Sequence, residues 1–124
     1  KPKLRRKIFR MLDGKFPSNN IVRKSMTLQE VILKLNLVSD DLCIVAKRPW
    51  LPNSEAELIR LTEEYAIPEG VKERGFSYFL EVSIAKDELL ADIKIKLTPA
   101  QKVEVVIYYA EYDATPEWLN ELCR

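Results

Sequence analysis

Apolar positions along this chain follow two spacings, recurring every three to four residues in some stretches and running together or alternating in others. The first spacing predicts amphipathic helices and the second strands. Leu28, Val31, Ile32 and Leu35 form one helical stripe, and Thr27 with Glu30 three residues later supplies a capping box at its start. This predicts a helix over 28–36. The β-branched run Leu42–Ala46, turned by Asp40-Asp41 and ended by Lys47, Arg48 and Pro49, predicts a central strand over 42–47. Phe76–Val82 predicts a second strand, and Pro68 and Gly75 bracket a short helix, Glu69–Arg74.

Thr98-Pro99-Ala100-Gln101 combines an N-cap, a proline at the first helical position and a capping-box glutamine, predicting a helix over Pro99–Tyr112. Its apolar face is Val103, Val106, Ile107 and Ala110, with Tyr108 and Tyr112 four apart on a neighbouring stripe. Ser83 is read as the cap of a helix with stripe Ile84, Leu89 or Leu90, and Ile93, and Thr115-Pro116 opens a last helical turn carrying Trp118, Leu119 and Leu122. Lys3–Leu12 reads as a short basic amphipathic helix, followed by a turn-rich linker near Phe16–Asn20. Residues 55–65 fit a helix and a strand equally: Ser54 and Glu57 resemble a capping box, while Glu57, Ile59 and Leu61 alternate with their neighbours. Together these elements predict an α+β fold, a two- or three-stranded antiparallel sheet packed with four to five helices.

Charge divides the chain. Residues 1–24 hold nine Lys or Arg against Asp13, a balance of +8, whereas Ser25–Arg124 hold eleven basic and eighteen acidic residues, a balance of −7. The net +1 of the 124 residues is therefore a cancellation. Met26-Thr27-Leu28 resembles a natural protein beginning, so residues 1–25 read as a basic extension and 26–124 as one α+β domain. No apolar stretch approaches the roughly 20 residues of a membrane-spanning helix, and the basic start leads into no secretory apolar region. With two cysteines and no disulfide or zinc spacing, a cytoplasmic location is expected.

The chain contains no histidine, which removes Ser/His/Asp and Cys/His nucleophilic sites and His-ligated zinc. No phosphate-binding loop, nucleophile elbow or calcium loop occurs, and no carboxylate pair has a spacing that singles it out. No catalytic residue, metal or cofactor is predicted. Cys43 reads as a small core hydrophobe.

A binding role accounts better for the charge pattern. In the acidic part, Glu111, Asp113 and Glu117 lie close to Tyr108, Tyr112 and Trp118. Amphipathic rings beside charge are what binding hot spots use, and an acidic patch attracts a basic cleft. Glu63 and Glu64 are further candidates for that patch, and Trp50, held between Pro49 and Pro52, either caps the sheet edge or offers an exposed anchor. Such residues equally serve as solvated surface and core closure. The competing reading places function in Arg5, Arg6, Lys7 and Arg10, as a nucleic-acid or ribosome-associated arm, with a membrane-surface helix or the solvated face of a packed helix as further alternatives.

From Met26 onward the order of features resembles small immunity-protein-like domains of bacterial polymorphic-toxin and contact-dependent inhibition systems. The resemblance is carried by Thr27-Leu28-Gln29-Glu30-Val31, Pro49-Trp50, Ile67-Pro68 with Gly75-Phe76-Ser77-Tyr78, and above all Tyr108-Tyr109-Ala110-Glu111-Tyr112-Asp113-Ala114. It implies a cytoplasmic antidote that binds one toxin domain stoichiometrically and blocks it without turnover. It also implies a strand over Glu57–Thr62, paired with 42–47. The basic first 25 residues and the continuation past Ala114 to Arg124 depart from the family pattern.

Overall fold

The computed structural model describes residues 26–123, so the basic segment, its expected helix and its linker lie outside the described residues. The remainder is α+β, built on a four-stranded antiparallel sheet of order β1-β3-β2-β4. The strands are β1 (Met26–Thr27), β2 (Cys43–Ala46), β3 (Glu55–Ile59) and β4 (Ser77–Glu81). The helices are α1 (Leu28–Leu33), α2 (Glu69–Glu73), α3 (Pro99–Tyr112) and α4 (Glu117–Leu122).

The sheet has one strand more than the expected maximum. β1 is two residues long, too short for any periodicity, and it pairs Met26 with Ala56 and Thr27 with Glu55. The ambiguous segment resolves as β3, whose Ile44–Leu58 and Ala46–Ala56 pairs place it beside β2. β2 is the central strand, with all four residues buried. Because successive side chains of a strand point to opposite faces, Ile44 and Ala46 enter the main core with α1 and α3. Val45 instead joins Val71 and Phe76 in a smaller cluster on the other face. A register shift between Ile44 and Val45, opposite Leu80 and Tyr78, marks a bulge in β4 at Phe79.

Both predicted capping boxes form. Thr27 Oγ1 accepts from Glu30 N–H at 3.3 Å while Thr27 N–H donates to Glu30 Oε1 at 2.9 Å. Thr98 and Gln101 do the same at 3.1 and 3.0 Å. α3 spans the predicted Pro99–Tyr112, and α1 ends at Leu33 and tightens into a 3₁₀ turn over Leu35–Leu37. Gly75 follows α2 at φ 94°, a conformation that glycine adopts without the steric penalty of a Cβ.

The segment after β4 departs from expectation. Ser83 makes no capping hydrogen bond, and Ile84–Leu89 is a π-helical segment running into a 3₁₀ turn, Leu90–Asp92. Ile84 and Leu89, both buried, stand five residues apart. An i→i+5 turn brings that interval onto one face, which an α-helix would not. Among the described residues no helix is long and apolar enough to cross a membrane.

Candidate protein-binding surface

The loop between β2 and β3 is tied down by α1. A helix leaves its first N–H groups without intrahelical partners, and here Leu28 N–H donates to Ser54 O and Gln29 N–H to Pro52 O, both at 2.9 Å. Ser54 also closes the loop on itself: its Oγ accepts from Leu51 N–H at 2.8 Å and donates to Pro49 O. The Arg48–Pro49 peptide is cis. Held by the hydrogen bonds from α1 and Ser54, the loop stands as a wall facing α3.

Trp50 belongs to the core rather than to the exposed surface. It is 8% exposed and meets Phe79 edge-on, with ring centroids 4.9 Å apart. Its burial in the main core leaves Trp50 no role as an exposed anchor. Over its ring lies the Arg48 guanidinium, 3.7 Å from the centroid. Arg48 Nη1 donates to both oxygens of Glu111, at 3.0 and 3.2 Å, across 63 positions of sequence. This ion pair joins the loop to the last turns of α3.

Between loop and helix runs a groove of about 700 Å³. Its loop side carries Trp50, Leu51 and Pro52, and its helix side Val103, Ile107, Tyr108 and Tyr112. Tyr108 and Tyr112 sit one helical turn apart with centroids 4.7 Å apart, and Tyr112 is 64% exposed. Leu51 is exposed on the facing wall. Sequence reasoning named the rings but not the Arg48–Glu111 contact, because nothing local distinguishes that pair from the chain's other opposite charges.

Beyond Tyr112, Asp113 ends α3 in the left-handed region at φ 58°. Tyr109 has its phenol pKa raised, by burial first and then by the charge of Asp113. Trp118 is half-buried, and its Nε1–H donates to Glu104 Oε2 at 2.9 Å, fastening α4 to α3. Asp113, Glu117 and Glu121 are exposed and make no ion pair among the described residues. Tyr108, Glu111, Tyr112 and Asp113 thus lie together at the C-terminal end of α3, whereas Trp118 packs back against the first half of the helix at Glu104 and Glu117 stands on α4.

Glu63 and Glu64 do not join them. They sit in a tight turn in which Thr62 Oγ1 accepts from Glu64 N–H and Ala66 N–H, at 3.3 and 3.1 Å. This turn follows the Ile59 end of β3, paired with Cys43, whereas the groove adjoins the Ala46 end of β2. A separate pocket of about 190 Å³ lies at that far end, lined in part by Asp40, Asp41, Tyr65 and Glu81. Two of its acids are engaged by cations: Asp40 pairs with Lys86 at 2.6 Å and Asp41 with Arg60 at 2.7 Å. Arg5, Arg6, Lys7 and Arg10 fall outside the described residues.

No protein-family model, curated protein or solved structure matches this chain. The functional reading rests on its own residues.

Proposed function

We propose that this chain is a non-catalytic protein-binding module, a cytoplasmic immunity-type protein that captures and neutralises a cognate, basic bacterial toxin domain. The observation that carries the reading is the tilted Tyr108–Tyr112 ring pair, with Tyr112 64% exposed beside Asp113, which makes no ion pair among the described residues. An exposed ring seated on a rigid helix contributes contact area at low entropic cost, and adjacent uncompensated carboxylates select a cationic partner and speed its capture.

Co-expression with the product of a neighbouring toxin gene tests this directly. The expected outcome is a stoichiometric complex that survives at micromolar concentration and is weakened roughly tenfold to hundredfold by Tyr112→Ala. Absence of a complex at that concentration counts against the proposal. The second reading, a nucleic-acid or ribosome-associated protein, draws on the +8 charge of residues 1–24. It requires nucleic-acid binding that falls steeply with salt and disappears when Arg5, Arg6, Lys7 and Arg10 are replaced.

A further inference from the structure

We propose that the groove between the Pro49–Pro52 loop and α3 receives an extended, proline-rich segment of the partner, with an arginine or lysine at the end beside Glu111. The inference rests on the protein-binding reading and specifies its occupant. The groove follows α3 from Ala100 to Tyr112, a distance of about 18 Å at the helical rise per residue. A polyproline helix covers that distance with about six residues.

The wall chemistry favours this conformation. One side of the groove is a regular helix whose main-chain groups are bonded within itself, so that wall offers no ladder to an added β-strand. What it offers instead are the rings of Tyr108 and Tyr112, facing the exposed Leu51 and Pro52 of the loop. Aromatic-lined grooves of this kind suit a preformed helix with projecting rings and outward carbonyls. Among the described residues the buried indole Nε1–H of Trp50 has no hydrogen-bond acceptor.

Charge fixes the polarity of the occupant. Glu104, Glu111 and Arg48 leave the groove one negative charge in excess, and Asp113 follows Tyr112 at the end of α3. Arg48, with its side chain 55% exposed, stacks on the indole and pairs with Glu111. It therefore occupies from within the place that a cation of the partner would take. A ligand cation that displaces Arg48 gains both the carboxylate and the ring face.

The full chain is titrated with a fluorescein-labelled eight-residue peptide of proline and leucine ending in two arginines. Controls are the same peptide with alanine for proline and a basic amphipathic helical peptide. The proline peptide is expected to bind at least about tenfold tighter than either control, to shift the Trp50 indole N–H resonance, and to lose about tenfold with Tyr112→Ala. Arg48→Ala, which vacates the indole face and Glu111, is expected to tighten it. Equal affinity for the alanine peptide, preference for the helical peptide, or weaker binding to Arg48→Ala overturns the proposal. If a toxin complex forms and Tyr112→Ala weakens it while the proline peptide does not bind, the occupant is wrong and the protein-binding reading stands. If neither engages, both fall.

Discussion

Cys43 and Cys123 are the same side chain in opposite circumstances. Burial, and then the charge of Glu81, push the Cys43 thiol well above its ordinary pKa, whereas Cys123 is exposed near the end of the described residues. Since the thiolate is the reactive species, an alkylating reagent at pH 8 should add once to the folded protein, at Cys123, and twice in denaturant, as read by mass spectrometry. Two additions without denaturant would show that Cys43 is not enclosed. A second residue-scale expectation concerns acid. The Asp40 carboxyl is held below its ordinary 3.8 mainly by the hydrogen bond from Lys86. At Asp41 burial opposes ionisation, but Ser39 and Arg60 outweigh it and the net direction is also downward. Groups with depressed folded pKa values stabilise the protein above their unfolded value and lose that contribution as pH falls through the lower folded value. Urea denaturation should therefore show stability declining below about pH 4, less steeply in Asp41→Asn, which at pH 7 costs about 0.5–1 kcal/mol. At this scale the sequence told much about Cys43, since an apolar run encloses it. It told little about Trp50, because the same flanking prolines accompany a buried ring and an exposed one.

Elements whose instructions are local were legible. Thr98-Pro99 with Gln101 defines the start of α3 without help from the rest of the chain, because the capping groups and the N–H groups they satisfy lie within four residues. Thr98→Ala should accordingly cost about 1 kcal/mol, measured by urea denaturation, and Thr27→Ala a similar amount at α1. Gly75→Ala is expected to cost about 1 kcal/mol for a different reason: φ is 94°, while the added Cβ would meet Lys47 at an ordinary 3.7 Å. If Gly75→Ala were neutral, the turn after α2 would have to adopt another conformation. β3 was not legible in this way, since its conformation is decided by β2 and β1 on either side, which local spacing cannot encode. The π-helical segment escapes an α-helical reading, in which Leu89 and Leu90 are alternatives on one stripe with Ile84. The five-residue interval itself was the signal. The groove lies between the two cases: its helical wall was readable from Tyr108 and Tyr112, but its other wall exists because α1 donates two N–H groups to the loop.

For the whole molecule, the separation of +8 in residues 1–24 from −7 in the remainder means that what a partner feels depends on how far the fields reach. At about 0.15 M salt the Debye length is about 8 Å, so a cationic protein nearing Asp113, Glu117 and Glu121 responds chiefly to charges within that distance. At about 0.01 M it is about 30 Å, comparable to the domain, and the basic residues then offset that attraction. Reversing Arg5, Arg6, Lys7 and Arg10 to glutamate removes two charges at each of four positions, taking the chain from +1 to −7. The association rate with a basic partner, measured by stopped flow, should then rise several-fold or more at low salt and change little at physiological salt. The same substitutions would abolish nucleic-acid binding if that were the function, so one variant separates the two readings by the sign of its effect. A rate unaffected at low salt would mean that capture at the end of α3 is not steered by charge. The paired tyrosines and the Arg48–Glu111 groove would then carry recognition through contact alone.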